Sequence, residues 1–371
     1  MEDLLFHILR LALGTNAIPL RALSEKEWDK VFQAAEKHSL TGLAFAGVQK
    51  LVDMLINEGI PESEIIPIKF YLEWLGIAYS ISQQNETIDT CSKEVQAMFH
   101  NEGFETCILK GRGVARYYGE FSDYRQSGDI DIWVWPKGSW TLNHDERMKA
   151  VLQFLRPKYE CGAPTYHHNV GFVFSKDIVV EAHYTPSWMF SPLHNHRLQK
   201  WFESQARTEM QNDFSTLEFN RIYILLHIYR HLFGEGVGLR QIVDYYFVLH
   251  YRRITEDERR QTMALLKSFG AGKFTAALMW ILHRKLGLAT DCLLCEPDGI
   301  EGAFLLSEVL QSGNFGQYDT RIDRRRNKGK LAVFSMRVRR NFRFVTHYPS
   351  EVLWCPLWKV WHQLWLRSFK F

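Results

Sequence analysis

No apolar run in this 371-residue sequence reaches the ~20 residues that a membrane-crossing helix needs before a charge interrupts it, so no spanning segment is expected. Cysteine is sparse and scattered, at Cys91, Cys107, Cys161, Cys292, Cys295 and Cys355. Cys292 and Cys295 form a CxxC, but no second Cys or His pair stands at zinc-finger spacing; no zinc is assigned, and the pair reads as buried thiols on a helix. A strong charge bias is also missing. The 45 basic and 42 acidic residues leave a net +3, compatible with a phosphate-bearing ligand and far from a dedicated nucleic-acid binder. His227 and His231 stand four apart, but Ile228 and not a glutamate follows His227, which excludes the HExxH zinc protease. "GEGVGL" at 234–239 joins two helical stretches and follows no strand, so it is a loop and not a dinucleotide fingerprint. The opening "MEDLLFHILRLALG" reads as an amphipathic helix and not as a signal peptide, which with the thiols leads to the expectation of a reducing, cytoplasmic setting.

What is present is ample core material, 46% hydrophobic and 14% aromatic, enough for two or three domains. Apolar residues recur at helical spacing to about His100, with Ser24 placed as an N-cap. The pattern then changes to short β-branched and aromatic runs, "TCIL", "DIDIWVW", "VGFVFS" and "DIVVEAHY", before turning helical again beyond Pro186. The predicted fold is α+β. A helical lobe (1–103) and a helical C-terminal region (191–371) flank a small mixed-sheet α/β core (104–190), with no repeat or low-complexity linker between them.

Two acids inside "DIDIWVW" need a reason. In a strand alternate side chains share a face, so Asp129 and Asp131 point the same way, about 6.6 Å apart along the chain, while Ile130, Ile132 and Val134 point the other way. In "DIVVEAHY" the same alternation puts Glu181 with Val179 and His183. If the two strands are neighbours, three carboxylates converge, the ligand set that magnesium takes with water and phosphate oxygens. The plainer alternative is a half-exposed strand with a wet acidic face. Upstream, "CILKG" reads as a strand and "GRGVARYYGE" as a turn and short helix, so amides around Gly111 and Arg112 would meet anionic phosphate, with Lys110 and Arg125 as counter-charge.

The ordered set of "ILKG" at 108–111, Arg125 followed by "DIDIWV", and "VEAHY" at 180–184 resembles the DNA polymerase beta type nucleotidyltransferase superfamily. With "AAEKHSLTGLAF" upstream and "LLHIYRH" and "LRQIVDYY" downstream, the layout is similar to the bacterial family of uncharacterised nucleotidyltransferases, over most of 30–250. The superfamily's more usual Gly-Ser after the first strand is Lys-Gly-Arg here. The resemblance implies that Asp129 and Asp131 bridge two Mg2+ ions and that Glu181 completes the site of the ion that activates an acceptor hydroxyl. It also implies nucleoside triphosphate as donor, Lys110, Gly111, Arg112 and Arg125 at the nucleotide, and pyrophosphate as product. The acceptor is open among a sugar or polysaccharide precursor, a small molecule, an RNA end and a protein hydroxyl. A non-catalytic nucleotide-sensing or antitoxin-like module is the competing reading, and a nucleic-acid-modifying enzyme is a third.

Other features are weighed more blandly. His227, His231, Arg240 and Asp244 either line the nucleotide side of the cleft or tie two helices together. His183 is placed to orient a metal ligand, and His167 and His168 read as a solvated strand end. Residues 321–343 hold ten Lys or Arg against Asp323, a solvated basic loop or an anion-binding surface. Trp354, Trp358, Trp361 and Trp365, at intervals of four, three and four, are expected to be mostly buried; contact with a membrane surface is the less favoured reading of that tail.

Overall fold

The structure, a computed structural model, describes residues 2–15, 21–175, 178–321 and 330–369. Helices α1 (Glu2–Leu13), α2 (Glu25–Lys37), α3 (Thr41–Asn57), α4 (Glu62–Ile65) and the long α5 (Ile68–Asn101) precede strand β1 (Phe104–Ile108). Ser24 and Glu27 close the start of α2 by a reciprocal capping box. After β1 come a single helical turn, α6 (Arg112–Ala115), a 3-10 segment (Arg116–Tyr124), β2 (Asp129–Pro136), α7 (His144–Leu155), β3 (Asn169–Ser175) and β4 (Ile178–His183). The remainder is helical: α8 (Pro192–Glu209), α9 (Leu217–Phe233), α10 (Leu239–His250), α11 (Glu256–Ser268), α12 (Gly272–Leu286), α13 (Gly299–Ser312), α14 (Lys330–Asn341) and α15 (Pro349–Ser368).

The four strands form one mixed sheet in the order β1-β2-β4-β3, with β2 and β4 parallel in its middle and both outer pairs antiparallel. Its two faces differ in chemistry. Ile130, Ile132 and Val134 of β2 and Val180 and Ala182 of β4 join a core with α5 and α7. On the opposite face Trp133 stacks on Phe219 of α9 at 5.7 Å and contacts Phe202 of α8, so apolar packing covers one end of that face. The aspartates lie at the other end of the same strand. Period-two alternation in β2 thus puts an acidic cleft and a tryptophan-filled core on one sheet face, at opposite ends of the strand.

A second, larger apolar cluster runs from Leu5 of α1 to Cys355 of α15 and ties the helices before and after the sheet together. Gly42 lets α3 approach the segment leading into β2, since a Cβ there would overlap the Tyr124 carbonyl oxygen. Cys292 ends a short 3-10 turn and Cys295 follows in a loop, not on one helix as expected, because Pro297 and Asp298 open the next helix only beyond them. Both thiols are free.

The tryptophan expectation needs correction. Trp358 and Trp365 are half-buried, Trp358 stacking on Trp188 at 5.2 Å and Trp365 against Tyr166 at 5.0 Å, but Trp354 and Trp361 are each 43% exposed. The reason is a cavity of about 580 Å³ under α15, lined by Trp354, Trp358 and Trp361 with His144, Arg147 and His167, so the stripe borders a hollow and not a filled core. Of the basic stretch, 322–329 lie outside the described residues; Arg321 and Arg343 pair with Glu308, and Arg340 donates to the Leu232 carbonyl. Among the described residues no helix is long and apolar enough to cross a membrane.

Candidate active site

The parallel register of β2 and β4 sets Asp131 directly across from Glu181, and Asp129 across from Val179. Carboxylate oxygens of Asp129, Asp131 and Glu181 lie within 4.8 Å of one another, a spacing that suits a shared divalent cation. Asp131 is buried, 1% exposed, while Asp129 and Glu181 are half-buried, so the cluster opens to solvent on one side. Asp131 Oδ2 has no hydrogen-bond partner. Asn169, opposite His183 on β3, donates to Glu181 at 2.6 Å and fixes that carboxylate.

The chain leaves β1 beside the second aspartate, because the Leu109 amide donates to the Asp131 carbonyl at 2.9 Å. Lys110 follows at once, and its Nζ lies 2.7 Å from Asp131 Oδ1. Burial disfavours the charged ammonium, but Asp131, Glu181 and Asp129 outweigh it and raise the Lys110 pKa. Burial likewise pushes the Asp131 carboxyl up against the pull of Lys110. For Glu181, burial is overcome by Lys110 and His183, which hold it well below the ordinary carboxylate range. Gly111 turns the chain with φ 66° and ψ −121°, a backbone conformation that a Cβ disfavours. The helix that follows is one turn, and its Gly113, Val114 and Ala115 amides already donate to the Lys110 and Gly111 carbonyls.

The two arginines assigned beside the nucleotide are committed elsewhere. Arg112 forms a double hydrogen bond with Asp89 of α5, both at 2.8 Å, and also donates to the Ser122 carbonyl. Arg125 makes a buried two-pronged pair with Asp244 of α10 at 2.7 and 2.9 Å, and Tyr118 donates to the same carboxylate. Asp244 therefore anchors the loop before β2. Two further cations close enough to act on the acids, Arg230 on Glu181 and Asp131 and Arg240 on Asp129, form no ion pair with a carboxylate among the described residues. Arg230 rests on the Trp188 ring at 4.0 Å and contacts His231 at 3.1 Å; burial lowers its pKa despite Glu235, and Glu181 and Asp131 act on it. Arg240 donates to the Gln126 carbonyl, and burial and Arg125 lower its pKa. The signal for Arg230 was a single cation inside the otherwise apolar and aromatic "LLHIYRHLF".

His183 is fully buried, with Nε2 2.9 Å from Asp131 and 3.5 Å from Glu181. Burial would lower its pKa, but hydrogen bonds to the two acids raise it. His168 is not solvated as expected. It is 5% exposed, its ring 4.4 Å from His183 and 4.6 Å from Trp188, because the Trp188 segment and α15 cover the end of β3. His227 and His231 pack edge to face at 4.3 Å on α9, and burial holds both below the ordinary histidine pKa.

The model of the uncharacterised nucleotidyltransferase family matches residues 24–287, and the chain belongs to that family. The matched stretch takes in the helical lobe from α2 onward, the whole sheet with its three acids, and the Arg230 and Arg240 helices. No curated protein and no solved structure matches the chain.

Proposed function

We propose that the protein transfers a nucleoside monophosphate from a nucleoside triphosphate to an acceptor hydroxyl and depends on divalent cations, Mg2+ in the first instance. One observation carries the reading: parallel pairing sets Asp131 opposite Glu181 with Asp129 two residues upstream, and their oxygens lie within 4.8 Å. Such a donor set fits one or two hard cations, which when bound would neutralise phosphate oxygens and favour ionisation of the acceptor hydroxyl. In the reaction the acceptor oxygen bonds the α-phosphorus as the bond to the β-phosphate oxygen breaks, and pyrophosphate leaves. The chain's own task is positioning and charge complementarity. Asp129, Asp131 and Glu181 hold the cations. Glu181 completes the site of the cation that would activate the acceptor hydroxyl, and it stands where it can help take up that hydroxyl's proton as the oxygen attacks. Lys110 stands at the cleft as counter-charge, Gly111 gives the close turn, and Arg112 and Arg125 act from behind by fixing the loop. Arg230 and Arg240 take over the triphosphate role first assigned to those two arginines.

The competing reading, a non-catalytic nucleotide-sensing or antitoxin-like module, draws on the same Lys110–Asp131 contact, which partly neutralises the site without a cation. Pyrophosphate release from each of the four nucleoside triphosphates, with and without Mg2+, separates the two. Asp129→Asn should fold normally and lose turnover, and Asp131→Asn, which leaves the Lys110 ammonium and His183 short of their partner, should lose stability as well as turnover; near-normal release by either variant would overturn the mechanism.

A further inference from the structure

We propose that His168, Glu181 and His183 form, beside the acid triad, a site for one divalent transition cation of the Mn2+ to Zn2+ series, in preference to Mg2+. The inference shares Glu181 with the proposed function and rests on that reading only for the cation's eventual use, not for its binding.

The donor set sets the preference. One nitrogen of each imidazole and one Glu181 oxygen lie within 4.8 Å of one another. His183 Nε2 is 2.9 Å from Asp131 Oδ1 and 3.5 Å from Glu181 Oε2. Neighbouring ligands about 2.1 Å from a shared cation stand roughly 3.0 Å apart in an octahedron and roughly 3.4 Å apart in a tetrahedron. The 3.5 Å between His183 Nε2 and Glu181 Oε2 matches two ligands of one centre, and the 2.9 Å to Asp131 Oδ1 is the hydrogen bond that a bound cation would replace. Magnesium seeks an all-oxygen shell, whereas imidazole suits the later first-row ions.

Burial supplies an independent reason. His168 is 5% exposed and His183 fully buried, yet the Nδ1 of each has no hydrogen-bond partner, and neither has Asp131 Oδ2. Buried polar atoms without a partner cost about 1–3 kcal/mol each unless something meets them; on His183 it is Nε2 that faces the acids, so the atoms that await a partner beside them are His168 Nδ1 and Asp131 Oδ2. The surroundings also hold the ligands still. Asn169 fixes Glu181 at 2.6 Å, β3 sets Asn169 opposite His183 and so brings His168 alongside, and Trp188 packs on the His168 ring. Two histidines that merely orient Asp131 and Glu181 from behind would leave the cation with oxygen ligands alone.

The test uses the full chain stripped with a chelator and titrated with Mn2+, followed by electron paramagnetic resonance and electron spin-echo modulation. The expected result is a tightly bound Mn2+ whose echo carries 14N modulation from directly bound imidazole, retained in tenfold excess Mg2+. His168→Gln should weaken Mn2+ binding on the order of tenfold or more and reduce the 14N modulation. His183→Gln should do the same; should that buried variant not fold, His168→Gln and the wild-type echo decide. Bound Mn2+ without 14N modulation, ready displacement by Mg2+, or unchanged binding by His168→Gln overturns the site. Pyrophosphate release is scored separately: nitrogen-bound Mn2+ without release sinks the transferase reading alone, and release with an all-oxygen Mn2+ signal sinks this one alone.

Discussion

The ammonium of Lys110 lies 2.7 Å from the Asp131 carboxylate, inside the cleft where the cation would sit. The pair means that Asp131 has two suitors, an internal cation and a bound metal. Lys110→Met removes the internal one and leaves a buried carboxylate next to Asp129 and Glu181. The cation-free variant should lose about 3–5 kcal/mol, the range for a buried pair broken from one side. Added Mg2+ or Mn2+ should recover most of that loss and bind more tightly than to wild type. Thermal melts with and without cation check this, and a variant whose melting point ignores added metal would remove Asp131 from the cation site.

Arg125 and Asp244 form the second pair, and it is structural. Asp244→Asn leaves a buried guanidinium uncompensated and the Tyr118 hydroxyl short of its charged acceptor, so it should also cost about 3–5 kcal/mol in urea unfolding. Nucleotide affinity per folded molecule should hold. A large affinity loss in a stable Asp244→Asn protein would return Arg125 to the nucleotide.

That pairing also shows where the sequence was legible. Strand alternation in "DIDIWVW" and "DIVVEAHY" predicts which side chains share a face, and the adjacency of β2 and β4 was stated as a condition because periodicity says nothing about strand order. Partners 119 residues apart, such as Arg125 and Asp244, leave no local trace. His168 looked like a wet strand end because the indole that covers it comes from Trp188, a different element. The tryptophan spacing in α15 correctly marked a single helix face, but spacing cannot report a cavity below it.

Arg230 carries the triphosphate prediction. It is a half-buried guanidinium with no carboxylate partner among the described residues, stacked on Trp188 and close enough to the acids for its pKa to feel Glu181 and Asp131. Arg230→Met should weaken nucleoside triphosphate binding by about 10–100-fold, as loss of a charge-assisted contact does, without loss of stability. The readout is the triphosphate-induced rise in melting temperature, which reports affinity by mass action. An undiminished rise would move the phosphates elsewhere.

Gly42 tests the link between the helical lobe and β2. Its missing Cβ makes room for the Tyr124 carbonyl just before β2, and backbone cannot swing aside as a side chain can. Gly42→Ala should therefore cost about 1–3 kcal/mol by overpacking, although alanine favours helix elsewhere. Equal or greater stability would show that the α3 contact is loose.

Acid sensitivity follows from four histidines that the fold keeps neutral. Burial lowers the pKa of His38 and His167 to about 3 and of His144 and His231 to about 4, all from 6.5. Well above pH 6.5 both folded and unfolded chains leave them neutral, and these four groups contribute no slope. Below it the unfolded chain takes up protons that the folded chain refuses, so stability falls as pH drops from 6.5 toward 4, by about 1.4 kcal/mol per pH unit per histidine. His183 acts in the opposite sense, since its raised pKa adds stability below 6.5 that is lost as pH rises through the folded value; it is one group against these four and against His168, His227 and His362, which burial also holds down. Glu27 and Glu258, held at about 2, lose their contribution only below about 4.5, and the burial-raised carboxyls of Glu209 and Asp131 act against the histidines as pH falls, so the more numerous histidines set the slope from 6.5 to 4.5. Urea midpoints at pH 7.5, 6.5, 5.5 and 4.8 should change little across the first pair and then drop steeply. His38→Gln keeps an acceptor for the Leu239 amide that now donates to Nδ1 at 3.3 Å, and should flatten the drop by about one proton's worth. A level urea midpoint down to pH 5 would mean that these rings are protonated in the fold.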